Sequence, residues 1–101
     1  MTVFLNIDAG ELDDEPEEIF ALAQVVNIAC GGHAGDAASM ARAVERCARL
    51  GAAPGAHPGF QDREHFGRRS LEVAPWVLRG QVAAQCAALR AVAARASQRI
   101  A

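Results

Sequence analysis

The chain has no tyrosine, one tryptophan, and aromatic side chains at only 5% of its 101 residues. No basic stripe interleaved with aromatics is visible, which argues against nucleic acid as a partner. No apolar run approaches the ~20 residues that a membrane helix needs, so no membrane span is expected. Near the N-terminus, Asp and Glu cluster where a signal peptide would carry its basic start and apolar centre. A cytoplasmic location is the expectation. Cysteine is scarce: Cys30, Cys47 and Cys86 are odd in number, widely spaced, and form no CxxC pair. That pattern excludes a disulfide framework and suits a reducing compartment. Cys47 and Cys86 fall in alanine-rich helical stretches, where a free thiol behaves as a small buried apolar group.

What is present is ordinary for a globular protein. Hydrophobic residues make up 51% and charged residues 22%, with a net charge of −2. One domain spanning residues 1–101 is the default, large enough to bury roughly two-thirds of its unfolded surface.

Strand and helix signals alternate. Val3 to Ile7 reads as a first strand. Pro16 opens a helix reaching Gln24, since proline suits a first helical position. Val25 to Ala29 is a second strand. Asp36 is placed as the N-cap of a helix running to Leu50, with Gly51 as its stop. Met40, Val44, Cys47 and Ala48 give that helix one apolar face. Ala52 to Ala56 is a weaker third strand, interrupted by Pro54 and Gly55. Gly67 to Ser70 is a loop. Pro75 opens a last helix directed toward Ile100, with Gly80 as a weak point. The order β-α-β-α-β-α predicts a parallel three-strand sheet in chain order, with right-handed crossovers and the helices on one side.

Strand side chains alternate between faces. Phe4, Asn6 and Asp8 share one face of the first strand. Val25, Asn27 and Ala29 share one face of the second, and Gly55 and His57 one face of the third. The fully apolar faces should meet the helices. The polar groups then collect at the C-terminal strand ends, where parallel α/β proteins bind ligands. The glycine loop NIACGGHAGD, Asn27 to Asp36, delivers His33 to that same edge, so Asp8, His33 and His57 are expected to converge.

Each of these residues also has a plainer reading. Buried Asn6 and Asn27 can serve only to bond loop backbone. Asp36 ahead of a helix is more often a cap than a catalyst. Cys30 has no base nearby in sequence and reads as a buried thiol. Asp13, Asp14, Glu15, Glu17 and Glu18 read as a solvated loop and helix start, favoured there by the helix dipole. Asp8, His33 and His57 also make a plausible divalent-metal set, because imidazole and carboxylate suit zinc and related ions. Arg68 and Arg69 could clamp a carboxylate or phosphate through forked hydrogen bonds, or stand as surface charges. The glycine loop lies before a helix N-terminus that could receive an anion, but it lacks the GK[ST] ending of a P-loop.

Four segments in order, LNIDAGE (Leu5 to Glu11), NIACGGHAGD, GAHPGF (Gly55 to Phe60) and FGRR (Phe66 to Arg69), resemble the LamB/YcsF family, which includes the A component of 5-oxoprolinase. The resemblance implies a (β/α) barrel of the glycoside hydrolase/deacetylase type, of which this chain would be the N-terminal part or a shortened relative. It further implies ATP-dependent ring opening of 5-oxoproline to glutamate with partner subunits B and C. By motif matching, Asp8, Glu11, His33, Asp36 and His57 would face the active site. The stretch between Glu11 and Val25 is shorter than the family's glycine-rich loop. Gly32 stands where the family often has an aromatic residue, and the family's lysine-proline-histidine-glycine motif is absent.

On this reading His33, His57 and Asp8 move protons while Asn6, Glu11, Asn27, Asp36, Arg68 and Arg69 hold substrate or nucleotide. A metal-assisted alternative uses Asp8, His33 and His57 to bind an ion that activates water for amide or acetyl hydrolysis. A third possibility is a non-catalytic assembly piece. Three βα units cannot close a barrel, since small barrels need ~8 strands. The 101-residue chain alone is therefore expected to be inactive, and its open sheet edges to favour association, including with a second copy of itself.

Overall fold

A computed structural model describes residues 3–101. The chain forms β1 (Asn6–Ala9), α1 (Glu17–Leu22), β2 (Val25–Ala29), α2 (Ala37–Leu50), β3 (Ala53–His57), a short 3-10 turn (Arg63–His65) and α3 (Pro75–Arg95). The sheet order is β1-β2-β3, and both pairings are parallel. Asp8 lies level with Asn27, and Asn27 with Gly55. The expected sheet is present, with the polar strand positions aligned across it.

The core lies between one sheet face and the helices. Val26 and Ile28 are fully buried, and α2 covers them with Met40, Ala43, Val44 and Cys47. These four positions recur at three- and four-residue spacing, so one stripe of α2 is apolar. From α3 come Leu89, Val92 and Ala93. Phe20 of α1 is buried under Arg46, whose guanidinium sits 5.8 Å from the ring centre. Arg49 of α2 reaches Glu17 of α1 at 2.6 Å and Glu45 of its own helix at 3.0 Å. Those carboxylates push the Arg49 pKa up, and the Arg49 hydrogen bond pulls Glu17 down.

The boundaries of α2 follow from its end chemistry. Asp36 accepts from the Ser39 backbone N–H at 2.8 Å, while Ser39 Oγ accepts from the Asp36 N–H at 2.8 Å. This reciprocal capping box satisfies two N–H groups that a helix start otherwise leaves unpaired. The Ser39 N–H also pulls the Asp36 carboxyl below its ordinary pKa. Gly51 takes the left-handed conformation at φ 81°, ending the helix.

Several sequence boundaries are corrected. The first strand is Asn6–Ala9, not Val3–Ile7. Val3 and Phe4 are exposed, and regular pairing starts only after Leu5, whose carbonyl accepts from the Gln24 N–H at 2.8 Å. The first helix ends at Leu22 because Ala23 is already extended and Val25 must enter β2. The third strand runs one residue later than expected and includes His57. The last helix stops at Arg95, since Ser97 turns to φ 58°, and the chain folds back over the core. Its last residue, Ala101, donates its backbone N–H to the Pro54 carbonyl at 2.7 Å. Gly80 does not interrupt α3, and open space surrounds it. Among the described residues no helix is long and apolar enough to cross a membrane.

Candidate active site

At the C-terminal ends of the strands lies a cleft of about 450 Å³. Asp8 enters it from β1, Glu11 from the turn after β1, His33 from the glycine loop after β2, and His57 from the last position of β3. The strand alternation puts Asp8 and His57 on the sheet face away from the helices, and the loops bring the other two alongside.

One oxygen organises the group. Glu11 Oε2 lies 2.7 Å from His33 Nε2 and 3.3 Å from His57 Nε2. His57 Nε2 is also 3.6 Å from Asp8 Oδ2. The 2.7 Å contact between His33 Nε2 and Glu11 Oε2 is a hydrogen bond whose direction depends on the imidazole tautomer. The two rings meet edge to face with centres 4.6 Å apart, and Phe66 packs edge-on against His33 at 5.3 Å. His33 is 5% exposed while the His57 side chain is 32% exposed. His33 is thus the buried support, and His57 the ring that meets solvent.

The second layer is polar and specific. Asn27 Nδ2 donates to Asn6 Oδ1 at 3.1 Å and to Asp8 Oδ1 at 3.3 Å, which fixes the Asp8 carboxylate. Glu15 accepts from three consecutive backbone N–H groups, of Gly10 at 2.8 Å, Glu11 at 3.0 Å and Leu12 at 3.2 Å. A run of N–H groups like this is an anion-binding concavity, filled here by the chain's own carboxylate. Glu15 is therefore no solvated loop residue; it shapes the turn that presents Glu11. Gln85 of α3, 4% exposed, pairs with both backbone groups of Gly59. A Cβ at Gly59 would overlap His33 Nδ1, so glycine is required for the ring to lie there.

The sequence expectation that Asp8, His33 and His57 share one pocket agrees with the structure. Glu11, expected only as a binding residue, is the member that joins the two histidines, and the donor set that converges most closely is Glu11, His33 and His57. Asn6 and Asn27 serve Asp8. Arg68 lines the cleft with its guanidinium 5.2 Å from the Phe66 ring centre. Arg69 instead lies 3.3 Å from Asp62. Burial works to raise the Asp62 pKa, but the His65 hydrogen bond and the Arg69 contacts outweigh it and hold the carboxyl below its usual range. Asp36 stands outside the cleft as the α2 cap. Cys30 is a buried thiol donating to the Ile28 carbonyl at 3.0 Å, and burial raises its pKa.

Sequence reasoning gave no site role to Glu15 or Gln85, and took in Gly59 and Phe66 only as members of the GAHPGF and FGRR motifs. Gln85 left one trace: it is the polar member of an apolar stripe completed by Leu89, Val92 and Ala93. Glu15 left none, because nothing distinguishes it from its acidic neighbours.

A lactam utilization protein from Thermus thermophilus has a solved structure that matches this fold with a TM-score of 0.93 and 37% sequence identity. The match covers 99% of this chain and 42% of that one, so the chain spans less than half of its relative's length. The pattern of one family fits residues 4–101, a range that takes in the whole cleft, and the chain belongs to the LamB/YcsF family.

Proposed function

We propose that the cleft is the acid–base site of a lactam hydrolase, of the kind formed by the A component of 5-oxoprolinase. The reaction is ring opening of 5-oxo-L-proline to L-glutamate, coupled to ATP hydrolysis and run with subunits B and C. On the same reading the three βα units are the first part of a (β/α) barrel of the glycoside hydrolase/deacetylase type. Family membership and the likeness to a lactam utilization protein support the substrate class. The observation that carries the reading is the single Glu11 oxygen shared by His33 and His57.

A lactam resists attack because its amide carbon is a weak electrophile, and its ring nitrogen needs a proton to leave. His57, half-buried at the mouth and next to two carboxylates, is the group that meets substrate and moves that proton. Glu11 and buried His33 fix its position. A placed acid–base group of this kind contributes ~10²–10⁴-fold. Arg68 is the guanidinium lining the cleft among the described residues, suited to the substrate carboxylate through a forked hydrogen bond.

ATP supplies phosphoryl transfer to an amide oxygen. The run of backbone N–H groups at residues 10–12 is taken by Glu15, and one guanidinium is a thin cradle for a triphosphate. ATP coupling rests on the family resemblance and is tested by its own product.

The test replaces the matching segment of the Thermus protein with residues 4–101 of this chain and supplies subunits B and C, ATP and 5-oxoproline. Glutamate and inorganic phosphate should appear together, and His57→Ala should abolish both. Glutamate without phosphate would remove the ATP coupling, and no glutamate would remove the lactam reading. The 101-residue chain alone should release none.

A further inference from the structure

We propose that Glu11 Oε2, His33 Nε2 and His57 Nε2 bind one divalent cation of the zinc class, with the Asp8 carboxylate next to His57. The three donors come from three separate segments, the turn after β1, the loop after β2 and the end of β3. Their ligand atoms all lie within 4.8 Å of one another. Tetrahedral coordination with bonds of ~2.0–2.1 Å sets donors ~3.3–3.4 Å apart. The Glu11–His57 pair already stands at 3.3 Å. The Glu11–His33 pair, at 2.7 Å, has to open by roughly 0.6 Å to reach that spacing. Glu11 has room for the change because its carboxylate sits on a turn and borders the cleft.

The donor types choose the ion. Two imidazoles and one carboxylate suit zinc, cobalt or nickel, whereas magnesium and calcium favour oxygen-only sets. Three protein donors with an open fourth position is the arrangement of catalytic rather than structural zinc. Asp8 Oδ2 lies 3.6 Å from His57 Nε2 and is oriented by Asn27, so it stands beside the three-donor set as a further acceptor rather than as one of its members.

One feature limits the affinity. A metal-bound histidine usually donates its other ring N–H to an acceptor, and loss of such a partner costs about 10–100-fold. His33 Nδ1 is buried against Gly59 with no partner among the described residues. The site should therefore bind its ion reversibly, about 10–100-fold more weakly than it would with that partner in place.

With the cation on His57 Nε2, only Nδ1 of that ring is left to exchange a proton; the inference does not rest on the lactam reading, because its test needs no substrate. The full chain is titrated with Zn²⁺ by calorimetry and with Co²⁺ by visible absorption. One cation per chain is expected, with the intense cobalt bands of a four-coordinate site. Glu11→Gln and His57→Asn, both at the cleft rather than in the core, should each weaken binding by about 10-fold or more. His65→Gln should leave it unchanged, since His65 pairs with Asp62 and does not line the cleft. Absence of saturable binding at millimolar cation would overturn the proposal. So would binding that both cleft variants leave intact, or binding that His65→Gln weakens as much as they do.

Discussion

Gln85 and Gly59 are joined by two hydrogen bonds running in opposite directions. The Gly59 N–H donates to Gln85 Oε1 at 3.0 Å, and Gln85 Nε2 donates to the Gly59 carbonyl at 2.8 Å. A side chain of α3 thereby stands in for a strand partner and holds the backbone that His33 rests against. Gln85→Met keeps the length but leaves both Gly59 groups unpaired in a partly buried place. The expected loss is about 1–3 kcal/mol, read by denaturant unfolding. A loss within error would mean that water replaces the amide.

Gly59→Ala should act on the histidine more than on the helix. The added methyl would overlap His33 Nδ1, so the ring must swing away from Glu11. The imidazole NMR resonances of His33 and His57 should both shift, and cation binding should fall with them. Unchanged His57 resonances would show that the two rings are not coupled through Glu11.

Glu15→Ala removes the acceptor of three N–H groups in the turn that carries Glu11. Leu12 borders solvent and its N–H can rehydrate, whereas Gly10 is buried and Glu11 partly so; the loss is confined to the turn, and the sheet and helices should stay folded. Amide exchange at Gly10, Glu11 and Leu12 should accelerate by an order of magnitude or more, about the effect of losing ~1.4 kcal/mol of local protection. Protection equal to that of the parent chain would remove Glu15 from its positioning role.

Acid should weaken the segment from Asp62 to Arg69. The Asp62 carboxyl is held below its ordinary pKa, so the folded chain binds its proton less readily than the unfolded chain does. Its stabilising share is present above the ordinary aspartate value of ~3.9 and is lost as the pH falls from there through the lower folded value. Asp62→Asn should flatten that part of the stability curve below about pH 4. An identical acid limb in both proteins would count against the assignment.

The thiols should differ in reactivity. Burial pushes Cys47 up to about 11 and raises Cys30, and both side chains are inside the core. Cys86 is partly exposed. Alkylation of the native chain at neutral pH should modify Cys86 first, with the other two labelled only after unfolding, as mass spectrometry of the peptides can show. Early labelling of Cys47 would imply that α2 opens.

Much of this was legible because period-two alternation is a strong constraint. Once Val26 and Ile28 must face the helices, Asn27 has to face away, and so do Asp8 and His57 in their own strands. The first strand misled because Val3, Phe4 and Leu5 look like a better strand than Asn-Ile-Asp-Ala. Side-chain preference favoured them, yet the backbone pairs where Gln24 and Val25 enter β2. Glu11 was harder still. Its importance comes from two imidazoles 22 and 46 positions away in sequence, and only the closed turn under Glu15 brings its oxygen between them.

Pro54 has a bearing on how this sheet can grow. Ala53 turns its N–H toward β2, so the next residue, Pro54, faces the outer side of β3. It brings no N–H there, and its carbonyl is already taken by Ala101. A stray strand adding to that edge would find one rung missing and another occupied, which is how edge prolines discourage aggregation. The β1 side has no such guard and is flanked by exposed Val3 and Phe4. Unwanted self-assembly of this chain should therefore begin at β1, and a charged replacement of Phe4 is the change that would slow it.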